Sequence, residues 1–108
     1  MFQIDGYHTY YIYIITNKTK TVLYTGVTNN LKNRLQQHKD NIANKTVTFA
    51  SKYRVCYLLY FEKYTWIQEA IAREKEIKKL RRKEKEELIA TINPDFAFLD
   101  YLFSSPER

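Results

Sequence analysis

A chain of 108 residues is long enough for one domain with a modest core and too short for two. Its net charge of +6 predicts a polyanionic partner, of which nucleic acid is the commonest. No apolar run approaches the roughly 18 residues of a membrane span, and the N-terminus lacks a signal-peptide pattern. The lone Cys56 excludes a disulfide framework and a paired-cysteine zinc site. These features predict a cytoplasmic protein with a single domain over residues 1–108.

The residue pattern divides the chain into elements in the order β-β-α-β-α-α, which predicts a small α/β sheet flanked by helices. The strands are rich in aromatic and β-branched residues, and the third is a continuous apolar run typical of a buried strand. Thr65 and Gln68 form a capping-box pair, and Asn93-Pro94 should follow the last helix, because a residue before proline avoids helical geometry. We expect strands at 9–16, 21–27 and 53–61, helices at 29–42, near 66–81 and at 83–91, and an apolar tail at 95–108 that packs onto the domain.

The first two strands are expected to pair through the polar turn of residues 17–20. In a simple hairpin, Tyr13 lies opposite Tyr24 with Cβ atoms about 5 Å apart, and Tyr11 lies opposite Gly26. An aromatic pair on a sheet is ordinarily packing. A glycine inside a strand weakens it unless the backbone must come close to something. The Tyr-x-Gly of residues 24–26, just before a helix, is therefore a weak indication of a site.

The first helix places a titratable side chain on the face that should be buried. At about 100° per residue, His38 lies within the apolar stripe of Leu31, Leu35 and Ile42, and Arg34 flanks it. The pattern alone does not separate a packed histidine from a functional one.

The second helix repeats this pattern with a carboxylate. Glu74 lies in the middle of the face formed by Ile67, Ala70 and Ile71, where an ionised carboxylate is costly unless it is paired or bound to a metal. An ion pair with Lys78, four residues later, would satisfy it structurally. Two helices that both present such groups beside a tyrosine pair favour a pocket.

The positive charge is concentrated in residues 78–85, where six of the eight residues are basic. This run is a candidate nucleic-acid contact. The alternative is a solvated helix face balanced by Glu84, Glu86 and Glu87. The candidate phosphate contacts in the run are Lys78, Lys79, Arg81, Arg82 and Lys83.

The motifs are YIY at 11–13, YTG at 24–26, and then Arg34, His38, Glu74 and Asn93. Their order and spacing resemble the GIY-YIG nuclease family, most closely its small single-domain bacterial branch, which is related to the nuclease domain of the excision-repair incision protein. The resemblance covers about residues 10–94. It implies a three-stranded antiparallel sheet flanked by helices. It also implies hydrolysis of DNA phosphodiester bonds with one divalent metal ion, usually Mg²⁺ and otherwise Mn²⁺.

The resemblance also implies roles for the residues that match the motifs. Glu74 would be the metal ligand, and Arg34 would hold the scissile phosphate. Tyr24 would position or deprotonate the attacking water, with Tyr13 hydrogen-bonded beside it. His38 would support the water or the phosphate. The supporting residues are Gly26, which lets the backbone approach, and Asn93, which matches a family asparagine near the site.

Some positions depart from the family pattern. Tyr11 and Thr25 replace name-motif residues that supply no reacting group, whereas Val27 replaces a lysine that contacts phosphate in some relatives. The sequence therefore leaves two functions open. The first is a metal-dependent DNA endonuclease that acts in DNA repair or processing. The alternative is a catalytically weak or inactive nucleic-acid-binding or adaptor module on the same fold. For either function, DNA binding would come from the domain itself, from residues 78–85 or from a protein partner that supplies targeting.

Overall fold

The computed structural model describes residues 9–45 and 47–103; the outer parts of the expected domain, 1–8 and 104–108, lie outside this description. One antiparallel sheet of three strands, in the order β2-β1-β3, is flanked by helices. This confirms the expected α/β class and element order. The elements are β1 (Tyr10–Thr16), β2 (Leu23–Thr28), α1 (Leu31–Ala43), α2 (Phe49–Lys52), β3 (Tyr57–Tyr64), α3 (Ile67–Lys79), α4 (Arg82–Ala90) and a 3₁₀ helix (Asp100–Phe103).

The central strand β1 is buried on both faces because each face of the sheet carries its own apolar cluster. Ile12 and Ile14 pack with residues of α3 and α4. Tyr13 and Ile15 point to the other face, as successive strand residues do, and pack with residues of α1 and α2. Within the described ranges, none of the helices is long and apolar enough to cross a membrane.

The hairpin register differs from the expected one by two residues. Tyr13 pairs with Gly26, and Tyr24 pairs with Ile15 instead of Tyr13. The connection is longer than the four predicted residues, because Asn17 Oδ1 accepts hydrogen bonds from the backbone N–H groups of Thr21 and Val22 and closes a wider loop. A shift of two keeps every side chain on its predicted face.

The boundaries around β3 also differ from the prediction. The polar stretch before it contains the short helix α2, with a capping box of Thr48 and Ser51 that the sequence analysis missed. The predicted capping box of Thr65 and Gln68 is wrong, since the N-cap of α3 is Trp66 and its side chain makes no cap hydrogen bond. Strand β3 begins four residues later than expected and continues through three further residues, to Tyr64.

The buried face of α3 is rotated away from the predicted one. Ala70 and Ile77 are its fully buried residues, whereas Ile67 and Ile71 remain 36% and 39% exposed. The prediction that Ile67 and Ile71 are buried is therefore wrong. The helix packs on the sheet along the line from Ala70 to Ile77, and this places Glu74 at the margin of the contact.

A charged network explains why β3 extends past its apolar run. The Glu62 carboxylate accepts hydrogen bonds from the hydroxyls of Tyr60 and Tyr64, and from Arg73 Nε at 2.9 Å and Nη2 at 3.0 Å. Burial alone raises the pKa of Glu62, but the bonds from Arg73 and the two tyrosines outweigh it and hold the pKa below the ordinary value of 4.5. Strand β3 and helix α3 are thus joined by an ion pair whose side chains are 17% and 30% exposed.

Replacing Glu62 with glutamine is expected to lower the free energy of unfolding at neutral pH by about 1–3 kcal/mol. The folded-state pKa lies below the unfolded one, so this stabilisation is present above about pH 4.5 and is lost as the pH falls through the folded pKa. Urea unfolding at a series of pH values below about 7 should show a difference between variant and wild type that shrinks as the pH falls below about 4.5. Glu69→Gln, on the exposed first turn of α3, is the control. A difference that stays constant as the pH falls would contradict the charge-based account.

Candidate active site

The centre of the site is a tyrosine that lies flat across a glycine on the neighbouring strand. A Cβ at Gly26 would lie 2.8 Å from Tyr13 Cε1 and closer still to the Tyr13 hydroxyl, which is nearer than any side chain could tolerate. Gly26 is therefore required for the ring to occupy this position. Tyr13 is 1% exposed, and its hydroxyl shares a 3.0 Å hydrogen bond with His38 Nε2.

His38 faces inward because it packs and bonds with the two tyrosines. Its ring lies 5.9 Å from the Tyr13 ring and 5.8 Å from the Tyr24 ring, edge to face in both cases. Burial, with the nearby Arg34 charge, lowers the pKa of His38 to about 4, so the imidazole is neutral at pH 7. Its buried Nδ1 has no hydrogen-bond partner within the described residues.

The two tyrosines have different surroundings. Burial raises the pKa of Tyr13 well above its ordinary value; the neighbouring Tyr24 and Glu74 add to this, and Arg34 opposes it. Tyr13 therefore stays protonated and serves as a hydrogen-bonding group. Tyr24 is only half-buried and lines an open cleft, so its hydroxyl is the better placed of the two for contact with a substrate.

That cleft lies between the hairpin, α1 and α2 and has a volume of about 260 Å³. Arg34 and His38, one helical turn apart on α1, face Phe49 across it. The Phe49 ring stacks on Tyr24 with centroids 5.9 Å apart and an interplanar angle of 27°. The lining residues are Tyr24, Arg34, Gln37, His38, Asn41, Thr48, Phe49 and Ala50.

Glu74 is not among the residues that line the cleft; it lies on α3, which packs against the opposite face of the sheet. It forms the ion pair that the sequence allowed, with Lys78 Nζ 3.2 Å from Glu74 Oε2. The pair lies against the tyrosines, since Lys78 Nζ is 6.0 Å from the centroid of the Tyr24 ring and the Glu74 charge acts on Tyr13. The Glu74 side chain is 17% exposed and so remains open to solvent.

The other predicted residues lie apart from the cleft. Buried Asn93 donates hydrogen bonds to the carbonyls of Leu59 and Ala97 and accepts one from the Ala97 N–H, which ties the C-terminal tail to β3. The guanidinium of Arg82 donates to the carbonyls of Lys20 and Thr21 in the hairpin loop. These two residues have structural partners.

The other basic residues of 78–85 differ in whether an ion-pair partner occupies them. Arg81 pairs with Glu84, its i+3 neighbour, and Lys78 pairs with Glu74. Lys79 and Lys83 are exposed. The exposed lysines are thus the members of the run best placed to meet a phosphate backbone.

Five cleft residues were missed by the sequence analysis: Gln37, Asn41, Thr48, Phe49 and Ala50. Gln37 and Asn41 follow Arg34 at successive spacings of three and four, a helical periodicity that could have identified them as neighbours on one face. Phe49 belongs to a helix of only four residues, too short for a periodic signal.

Comparison with known proteins identifies the family to which the chain belongs. Residues 9–87 match the family described as the GIY-YIG catalytic domain, and the chain belongs to this family. The chain is similar to bacterial UPF0213 proteins. It is 37% identical to one from Clostridium perfringens over 75% of this chain and 83% of that protein. It is 39% identical to one from Oceanobacillus iheyensis over 74% of this chain and 88% of that protein. The solution structure of a UPF0213 protein from Bacillus halodurans superposes with a TM-score of 0.51 at 25% identity, covering 82% and 89%.

Proposed function

We propose that the chain is a divalent-metal-dependent endonuclease that hydrolyses DNA phosphodiester bonds in the bacterial cytoplasm, in DNA repair or processing. The proposal rests on the proximity of five side chains from two strands and two helices. Three of them line one cleft, Tyr13 shares a hydrogen bond with His38, and the charge of Glu74 acts on Tyr13. Family membership supports a nuclease activity, and the net charge of +6 supports a polyanionic substrate. The five residues are Tyr13, Tyr24, Arg34, His38 and Glu74.

The carboxylate of Glu74 fits one Mg²⁺ or Mn²⁺ ion. Within the described residues no three His, Cys, Asp or Glu side chains cluster as a metal cage. A single carboxylate open to solvent suits Mg²⁺, which keeps most of its waters. The bond from Lys78 to Oε2 of Glu74 would compete with the ion for this carboxylate. When bound, the ion would stabilise negative charge on the phosphate and the leaving oxygen.

The remaining residues bind the phosphate and order the water. Arg34, a permanent planar cation at the cleft wall, would hold two phosphate oxygens. Tyr24 would position the attacking water through its hydroxyl, or would take the water's proton as a phenolate. Neutral His38, held by the protonated Tyr13, would hydrogen-bond to water or phosphate without adding charge. Lys78, beside Tyr24, would supply the phosphate contact that Val27 cannot make.

The alternative, a nucleic-acid-binding or adaptor module with weak or no turnover, is favoured by a specific observation. The only carboxylate among the five residues is bonded to Lys78, and this pair competes with a metal ion. In that function the basic residues of 78–85 would still bind nucleic acid, and the ion pair between Glu74 and Lys78 would remain intact.

Cleavage assays distinguish the two functions. Branched, nicked and plain DNA of the same length would be incubated with the protein and Mg²⁺ or Mn²⁺, with EDTA as the control. Metal-dependent cleavage of any of these DNAs supports the endonuclease. DNA binding without cleavage under every condition supports the binding module.

Replacing Lys79 and Lys83 together with alanine is expected to weaken DNA binding and to flatten its salt dependence. Removal of one lysine–phosphate interaction should reduce the slope of log K against log salt by about 0.9, so the double variant should show a slope smaller by about 2. Fluorescence anisotropy titrations at several salt concentrations measure the slope. The control is Lys63→Ala, which removes a lysine from the edge strand β3, outside the basic run. An unchanged slope in the double variant would make the run a solvated helix face.

A further inference from the structure

We propose that the cleft beside Tyr24 takes one unpaired nucleobase next to the phosphate that is cut, so that the substrate is DNA that is single-stranded at this position. The inference rests on the proposed function, because it places the nucleobase beside the phosphate that Arg34 would hold. It is carried by an exposed aromatic ring, by two amide side chains and by a buried histidine nitrogen that lacks a partner within the described residues.

The aromatic ring is Phe49. It is 50% exposed, although its neighbour Ala50 is 5% exposed and anchors α2 in the core. On one side the Phe49 ring stacks on Tyr24, and it also lies 4.9 Å from the Tyr53 ring. An exposed ring at the wall of a cleft is a stacking surface for a base, since every base has a π-face.

The amides are Gln37 and Asn41, one helical turn apart on α1 and part of the same cleft wall. Amide side chains both donate and accept hydrogen bonds, as base edges do, whereas a phosphate needs only donors. A base in a duplex already uses its Watson–Crick edge. These amides therefore complement a base whose edge is free, the form that proteins read in single strands.

The histidine nitrogen is Nδ1 of His38. This residue lines the cleft and is 7% exposed, and its Nδ1 has no hydrogen-bond partner in the ranges 9–45 and 47–103. Buried polar atoms normally have a partner, and Nε2 is already bonded to Tyr13, so Nδ1 is the His38 atom left for the bound nucleotide, through its base or its phosphate.

The position of the cleft relates the base to the chemistry. Arg34 and Tyr24, which would hold the phosphate and the water, line the same space of about 260 Å³. A base stacked on Phe49 in this space would lie beside a phosphate held by Arg34. In a duplex the same base would first have to leave its stack, which costs free energy and disfavours paired DNA at this point.

The test measures binding without cleavage. The wild-type protein in EDTA would be titrated with a fluorescent single-stranded oligothymidine and with a hairpin duplex of the same charge. Phe49→Ala is expected to weaken binding of the single strand by roughly tenfold and to leave duplex binding unchanged. Phe49→Tyr should retain the wild-type affinity, because it keeps the planar ring. Tyr101→Ala, at an aromatic ring that is 68% exposed and outside the cleft, is the matched control.

A second readout locates the base. A 2-aminopurine in the single strand should be quenched on binding to the wild-type protein and not on binding to Phe49→Ala. Equal loss of single-strand and duplex binding, or full single-strand affinity in Phe49→Ala, would overturn the inference. If Phe49→Ala melts well below the wild type, Phe49→Leu replaces it, since leucine keeps the apolar volume without the ring.

Failure of the nuclease proposal gives a different result. A protein that binds single strands through Phe49 but cleaves no DNA in Mg²⁺ or Mn²⁺ would overturn the proposed function and leave the base site standing. A protein that cleaves duplex and single strand at equal rates, with Phe49→Ala unaffected, would overturn only the inference.

Discussion

Replacing Glu74 with glutamine is expected to reduce the single-turnover rate of DNA cleavage by about 10³-fold. Metal stabilisation of the transition state is worth several kcal/mol, and glutamine removes the charge that holds the ion. The fold should be nearly unaffected, because an i,i+4 ion pair with a half-exposed lysine contributes only a few tenths of a kcal/mol. Rapid-quench cleavage and a melting curve measure the two effects.

Glu69→Gln is the matched control for this change, since it removes the same charge from the first turn of the same helix. It should cleave at the wild-type rate. Full activity in Glu74→Gln would place the metal elsewhere. A large fall in melting temperature would show that the carboxylate is structural.

Replacing Tyr24 with phenylalanine is expected to slow cleavage by roughly 10²-fold or more, the usual effect of a lost acid–base group. The ring and its stacking on Phe49 remain, so the fold should lose no more than about 1 kcal/mol. DNA binding should persist, because the phosphate contacts come from Arg34 and the lysines. Single-turnover cleavage, a binding titration and a melting curve separate these outcomes.

Tyr13→Phe is the informative comparison. Its hydroxyl bonds to His38 and stays protonated, so its removal should cost more stability and less activity than the change at Tyr24. If Tyr24→Phe cleaves at the wild-type rate, Tyr24 is a packing residue and another residue must be the general base that activates the water.

The sequence predicted the elements of the sheet well, because strand and helix periods are local properties of the residues. The hairpin register was missed by two residues, since it depends on hydrogen bonds to the Asn17 side chain that widen the loop. The buried face of α3 was misjudged for a similar reason. Apolar Ile67 and Ile71 form a stripe in the sequence, but the packing of the helix on the sheet decides which side is covered.

The candidate site was predicted residue by residue from the motifs, and the structure adds what motifs do not contain. His38 was correctly placed on the inner face, but its bond to Tyr13 depends on long-range packing. Phe49 comes from a four-residue helix with almost no local signal. Asn93 matched a motif position, yet its hydrogen bonds hold the tail against β3.

The ring of Tyr13 occupies the space that a side chain at position 26 would need, and this limits which mutations the protein can tolerate. The same residue packs in the apolar cluster with Ile15 and Leu58 and bonds through its hydroxyl to His38. A change that disturbs the pairing of β1 and β2 would therefore displace this hydroxyl without touching a group that contacts DNA. In a mutational scan, substitutions that disturb the pairing of β1 and β2 should lower stability and activity together. Substitutions at Tyr24, Arg34 and Glu74 should lower activity with little loss of stability.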